Sequence, residues 1–315
     1  MNSDKQAWQR LVKDHIKNSE QPLIAVVGPT AAGKTAFSVE LAMYIQADCA
    51  KQAEVLNADS RQLYRYMDIG TAKVTEEEMR GVPHHLFSVL NPDEELTVGW
   101  YKDKADNLIT SLHARGAVPL LVGGSMLYIS AITDGLTLGP PEDTEIRERL
   151  TREYDADNGA ALYKQLQNVD PEIALTVHQN NKPRLIRAME IIELREKQGI
   201  VPRTELRSPE NTSAYDVLML GISLPRDKLV VKINNRTSAM MQAGWIEEVK
   251  HLIDLGYTEE SPAMKASGYK EIMRYLQHGE PASEAELIEM IAAKTRQYAR
   301  RQMTWWKTDE RIFWV

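Results

Sequence analysis

One cysteine, Cys49, stands in the 315 residues, which excludes an internal disulfide and any zinc site built from cysteines. Long apolar runs are also missing. No stretch approaches the roughly 20 apolar residues of a membrane span. Residues 1–20 place Trp8, Leu11, Val12 and Ile16 at helical spacing among charges, not in the uninterrupted apolar segment of a signal peptide. These absences predict a cytoplasmic protein with no membrane partner and an amphipathic helix ahead of its first domain. There is no excess of positive charge, since 38 Lys and Arg against 45 Asp and Glu leave a net −7. That argues against a protein that coats nucleic acid non-specifically, and it leaves room for a local basic surface. No repeat or low-complexity tract occurs. With 43% hydrophobic and 26% charged residues, the chain suffices for one large domain or two modest ones.

What is present is concentrated at residues 23–35, LIAVVGPTAAGKT. The run Leu23–Val27 is short and apolar, as in a buried parallel strand. Gly28, Pro29, Thr30, Ala31, Ala32, Gly33, Lys34 and Thr35 then fit G-x-x-x-x-G-K-[ST], the phosphate-binding loop. The following AFSVELAMYI has helical spacing. Strand, glycine loop and helix N-terminus therefore come in the order that aims backbone N–H groups and a positive field at a phosphate. Lys34 adds a full charge, and Thr35 a hydroxyl for Mg²⁺. By itself this loop suggests a nucleotide such as ATP.

A second strand is expected at Glu54–Asn57, with Asp59 just beyond its carboxyl end. That position faces the crevice where open α/β sheets bind ligands, although Asp59 could equally cap a helix that follows. A short helix should begin at Thr75 and stop near Gly81 and Pro83. His84 and His85 are adjacent and should point different ways, which disfavours one shared metal ion. Val98–Arg115 reads as a helix and Ala117–Val122 as a buried strand. That strand ends in Gly123-Gly124-Ser125, without the acidic residue that many nucleotide-hydrolysing P-loop proteins use to hold Mg²⁺. The glycine pair permits close approach of backbone to a ligand. Ser125 could offer a hydroxyl there or act as an N-cap.

Residues 134–143, DGLTLGPPED, break the composition, and the segment to about residue 208 reads as helical throughout. Its last helix carries Lys182, Arg184, Arg187, Arg195 and Lys197, interleaved with Glu190, Glu193 and Glu196 as in a solvated face. The sheet should resume at Asp216–Ser223. One long helix is expected from Lys228 to Leu255, with Lys232 and Arg236 a turn apart. A final helix over 283–307 mixes Lys294, Arg296, Arg300, Arg301 and Lys307 with Tyr298, Trp305 and Trp306, either an RNA surface or packing onto the sheet. Arg311–Val315 could close the sheet.

The blocks GPTAAGKT, NADSRQLYRYMDIGTAK, VGGSMLYISAI, NNKPRLIRAMEI, KINNRTSAMMQAGWIEEV, SGYKEI and RQYARRQMTWWK resemble the tRNA dimethylallyltransferases in order and spacing, from about residue 22 onward. The resemblance implies an α/β fold: a P-loop NTPase-like parallel sheet flanked by helices, with an all-helical insertion. The expected divisions are an N-terminal extension at 1–21, core at 22–142, a tRNA-contacting insertion at 143–210, and core again at 211–315. The implied reaction moves a dimethylallyl group from its diphosphate to the exocyclic amine of the adenosine next to the tRNA anticodon. A monomer with Mg²⁺ is expected.

The resemblance gives Asp59 the role of base, and places Ser125 beside it where the family usually has Thr. Gly28, Thr30, Ala31, Ala32, Gly33, Lys34, Thr35, Lys232 and Arg236 would hold the diphosphate. Asp59, Ser60, Gln62, Leu63, Arg184, Arg300 and Arg301 would contact tRNA. Lys232 stands where the family has Arg and lacks its bidentate fork. Pro183-Arg184 replaces a Gln-Arg or basic pair, Ser267 a common Ile, and Trp306 a usual Phe. A non-enzymatic RNA-binding protein with a relic P-loop is disfavoured by Lys34, Thr35 and Asp59 together, and two other enzymatic readings compete. One is a small-molecule P-loop kinase, for which no arginine-bearing lid is evident. The other is a prenyltransferase for free adenosine phosphates, which would need neither the insertion nor the basic final helix.

Overall fold

In β1 (Pro22–Val27) alternate residues go to opposite faces, as the two-residue period of a strand requires. Leu23, Ala25 and Val27 join one core, and Ile24 and Val26 the other. A strand apolar on both sides must be covered on both sides. Around it lie β2 (Ala53–Asn57), β3 (His84–His85), β4 (Val118–Val122), β5 (Asp216–Gly221) and β6 (Ile312–Trp314). Their order is β3-β2-β4-β1-β5-β6, parallel throughout. This is a computed structural model, and it describes residues 2–136, 139–199 and 213–315, with backbone alone for 2–5.

One face of the sheet is covered by α1 (Asn2–Asn18) and α2 (Lys34–Asp48). The Trp8 ring meets Phe37 and Tyr44 edge-on, each at 5.3 Å, and the Tyr44 hydroxyl donates to the Gln9 carbonyl at 3.1 Å. Val12 and Ile16 are buried beside Trp8, whereas Leu11 is exposed, so the apolar stripe is narrower than its spacing predicts. After β2 comes the one-turn α3 (Glu76–Met79), opened by a Thr75–Glu78 capping box. The opposite face carries α4 (Val98–Ala114) and α5 (Met126–Thr133).

Contacts divide the chain into two units, Met1–Gly135 with Ser213–Val315, and Leu136–Thr212. The second holds α6 (Thr144–Asp157), α7 (Ala160–Val169), α8 (Pro171–Ala174) and α9 (Lys182–Lys197) around Leu150, Leu162, Leu166 and Leu185. It begins ahead of residue 143 because Gly139 packs on Ile191 and the Pro140 carbonyl accepts from Arg187. Residues 200–210 of the expected insertion lie outside the described residues.

The single helix expected over 228–255 is two helices, α10 (Arg226–Gln242) and α11 (Trp245–Asp254). Gly244 divides them at φ 99°, a left-handed conformation that a helix cannot continue through. A 3₁₀ turn at Pro262–Lys265, α12 (Tyr269–His278) and α13 (Glu284–Trp306) complete the first unit. Leu287, Ile291 and Trp306 of α13 belong to the main core.

Candidate active site

A cleft of about 440 Å³ opens where β1, β2 and β4 end, the usual ligand position of an open parallel sheet. Thr30, Ala31 and Gly33 line it from the loop between β1 and α2, and Lys34 and Thr35 from the first turn of α2. Ala31 at φ 63° and Gly33 at φ 104° curl this loop round the helix N-terminus. Lys34 Nζ donates to the carbonyls of Gly28 and Pro29 at 3.1 and 2.9 Å. Burial lowers its pKa to about 8; the nearby Asp59 opposes that shift and the Arg236 charge reinforces it. Lys232 and Arg236 enter from α10, on one face as their spacing predicted. Burial also lowers the pKa of Arg236, against the pull of Asp59 and Glu78.

Among the described residues, two carboxylates line the cleft, Asp59 and Glu78. Glu78 is engaged in its capping box, accepting from the Thr75 N–H at 3.0 Å. Asp59 does not cap a helix, because the next helix begins at Glu76. It forms a local turn in which Oδ1 accepts the Arg61 N–H at 3.0 Å, while Asn57 Oδ1 accepts the Asp59 N–H at 2.8 Å. Gln62 lines the same cleft, its amide donating to the Thr71 and Ala72 carbonyls at 3.0 and 3.2 Å.

Several expected residues lie elsewhere. Gly28 packs against the Ile222 backbone: a Cβ there would meet the Ile222 carbonyl at 2.2 Å. Ala32 is buried and spends its N–H on the Pro29 carbonyl. Leu63 is fully buried in the main core, so its side chain cannot reach RNA. Ser125 occupies an N-cap position without capping; its hydroxyl instead accepts the Ser60 N–H at 2.9 Å, and both residues stand outside the cleft walls.

The glycine pair serves close packing within the protein. A Cβ on Gly123 would strike the Ala58 carbonyl at 2.1 Å, and one on Gly124 would strike Gln302 Nε2 at 2.3 Å. Arg184 is exposed on α9 in the second unit, and Arg300 and Arg301 are exposed on α13, with Arg301 over the Tyr298 ring at 5.7 Å. His84 and His85 diverge. His85 Nε2 bonds Glu54 at 2.6 Å, while His84 Nδ1 donates to the Val82 carbonyl at 2.8 Å and borders the cleft.

Two site-shaping residues escape a reading of the sequence. Gln302 is buried on α13 and bonds both the phosphate-type loop and the turn after β4. Glu248 accepts the backbone N–H groups of Asp68, Ile69 and Gly70 at 2.7, 2.7 and 3.1 Å, and the Tyr269 hydroxyl at 2.6 Å. It thereby fixes the loop whose carbonyls hold Gln62. Both lie inside blocks that carry the family resemblance, but neither is set apart there by spacing or charge. Gln302 stands in a run conspicuous for charge, and Glu248 on a helix with two other acids.

A profile of the IPP transferase family matches residues 62–309. The chain belongs to this family. Among relatives, the tRNA dimethylallyltransferase of Symbiobacterium thermophilum is 40% identical over 295 residues, covering 93% of this chain and 89% of the relative. Among solved structures, the full-length tRNA isopentenylpyrophosphate transferase of Bacillus halodurans is similar at 38% identity and TM-score 0.67, covering 94% and 89% of the two chains. A eukaryotic dimethylallyltransferase acting on tRNA is similar at 25% identity and TM-score 0.78, covering 94% of this chain and 73% of its own. The profile begins at Gln62, so within this IPP transferase the place of Lys34 and Asp59 in one cleft rests on geometry. No helix among the described residues is long and apolar enough to cross a membrane.

Proposed function

We propose that this protein transfers a dimethylallyl group from dimethylallyl diphosphate to the exocyclic amine of the adenosine 3′-adjacent to the anticodon in tRNA, releasing diphosphate. The observation that carries it is the meeting of Lys34, Arg236 and Asp59 in one cleft of an IPP transferase family member. The amine nitrogen attacks the allylic carbon, and the bond from that carbon to the diphosphate oxygen breaks. The amine proton passes to the Asp59 carboxylate, the cleft carboxylate that no helix cap engages. Charge growing on the leaving diphosphate is met by Lys34, Lys232, Arg236 and the backbone of Ala31, Gly33 and Thr35. Thr30 borders this group through its side chain, since its N–H is held by Gln302.

Mg²⁺ fits this donor set. Among the described residues no group of three or more His, Cys, Asp or Glu gathers as a metal cage. In phosphate-binding loops of this pattern the Ser or Thr hydroxyl holds Mg²⁺, with substrate phosphates and waters among the other partners. Thr35 is exposed at the cleft and supplies a hydroxyl. When bound, the ion would neutralise diphosphate charge. The tRNA would meet Gln62 inside the cleft and Ser60 at its edge. Arg300, Arg301 and Arg184 would contact phosphates outside it.

Mass spectrometry of tRNA incubated with dimethylallyl diphosphate and Mg²⁺ tests the proposal. One added five-carbon unit on the adenosine beside the anticodon is expected. Product on AMP but not on tRNA would favour the free-nucleotide reading. ATP-dependent phosphorylation without prenyl transfer would identify a kinase.

A further inference from the structure

Gln302 is 1% exposed, and both ends of its carboxamide are engaged. Oε1 accepts the Thr30 N–H at 2.9 Å, and Nε2 donates to the Gly124 carbonyl at 2.9 Å. The Tyr298 hydroxyl, one helical turn earlier, donates to that same carbonyl at 3.1 Å. A Cβ built on Gly124 would lie 2.3 Å from Gln302 Nε2 and 3.8 Å from Lys34 Nζ. The carboxamide and the ammonium therefore flank one glycine. The helix that carries Gln302 is itself tied to α10. Ala299 packs with Leu229 and Ile233, and Arg296 donates to Asn234 Oδ1 at 2.7 Å. α10 is the helix that delivers Lys232 and Arg236 to the cleft.

We infer that Gln302 is a positioning residue for the anionic substrate: it clamps the Thr30 backbone to the Gly124 turn and so fixes Lys34 relative to the two cations of α10. The clamp needs a carboxamide. An acceptor is required for Thr30 N–H and a donor for Gly124 C=O, and Gln supplies both at one position. With the donor removed, a buried carbonyl beside Lys34 loses a partner and competes with the incoming anion for the ammonium. With a carboxylate in its place, a negative charge stands next to the diphosphate. Gln302 touches neither reacting atom, so its effect should fall on anion affinity. The inference rests on the proposed diphosphate role of the cleft.

The test uses the full-length protein. Titration calorimetry with inorganic diphosphate and Mg²⁺ is run on wild type, Gln302→Met, Gln302→Glu and Tyr298→Phe, alongside steady-state kinetics. Gln302→Met should weaken diphosphate affinity about tenfold, on the order of one buried hydrogen bond. Gln302→Glu should weaken it further. Tyr298→Phe, which leaves the Gln302 bonds in place, should weaken it about twofold to threefold. KM for dimethylallyl diphosphate should rise in the same order, while KM for tRNA stays within about twofold, a split that loose helix packing would not produce. Unchanged diphosphate affinity in Gln302→Met, or an equal rise in both KM values, overturns the inference. If the Gln302 variants do not fold, unchanged affinity in Tyr298→Phe overturns it. A wild type that binds diphosphate but leaves tRNA unmodified defeats the proposed reaction; loss of diphosphate affinity in the variants would still support the clamp.

Discussion

In the helical unit charged side chains close on one another, whereas in the cleft Lys34 and Arg236 have only backbone carbonyls as close partners. Glu190 on α9 is completely buried, yet it accepts from Arg147 at 3.0 Å, Arg187 at 2.7 Å and the Asp143 N–H at 2.7 Å. Lys182 pairs with Asp155 at 2.6 Å, and Arg149 with Glu153 and Glu193. These charges are internally compensated. In the cleft, among the described residues, no ion pair joins Lys34, Lys232, Arg236 or Asp59 to an opposite charge within 4.0 Å. Burial lowers the pKa of both Lys34 and Arg236. Holding cations partly desolvated without a close counter-ion costs stability, and an anionic ligand removes that cost. Charge is thus used differently in the two regions: in one it fixes a fold, and in the other it is arranged for the anion of the proposed reaction.

The largest effect should come from Asp59→Ala, which should lower turnover by about two to four orders of magnitude while the melting temperature and tRNA affinity stay near wild type. Unchanged turnover would remove Asp59 as the base. Next is Glu190→Ala, which leaves two arginines without their buried partner. It should destabilise by about 3 kcal/mol, read as a lower denaturant midpoint, while chemistry by the folded fraction survives. A large loss of turnover at full folding would place α9 in the chemistry.

Replacing Arg300 and Arg301 together by Ala should weaken tRNA binding and shallow its log–log salt slope by about 1.5, at roughly 0.7 to 0.9 per lost phosphate contact. An unaltered slope would class that face of α13 with the compensated charges of α9. The smallest effect is on pH. The folded pKa of Lys34 is depressed to about 8, so the fraction carrying charge declines as pH rises through that value. Diphosphate affinity should therefore fall above about pH 8, and Lys34→Met should flatten that part of the profile. A wild-type profile flat up to pH 9 would contradict the depressed value.

Much of the scaffold was legible because its signals are local. An apolar run before G-x-x-x-x-G-K-T reads as strand, loop and helix, and the strands at 53–57, 118–122 and 216–221 stand where apolar runs do. Lys34, Thr35, Asp59, Lys232 and Arg236 reach the cleft for the same reason: each is set by its own strand end or helix face. Other expectations failed where distant chain decides. Ser125 stands outside the cleft walls, because the segment after β2 lies against it and its hydroxyl oxygen accepts the Ser60 N–H. Leu63 sits between cleft residues in sequence and yet turns into the core. The two-residue β3 carries no apolar run and exists through its pairing with Val55 and Leu56.

The sequence alone therefore determined the phosphate-type loop, the parallel strands feeding it, the helical character of the middle segment and the family resemblance. Each depends on side-chain period or on a motif a few residues long. Only the tertiary structure decided that helix 228–255 breaks at Gly244, that Glu248 binds the loop at 68–70, and that Gln302 grips Thr30 from 272 positions away. A hydrogen bond across such a separation leaves no periodic trace. It is specified by where two folded elements come to rest.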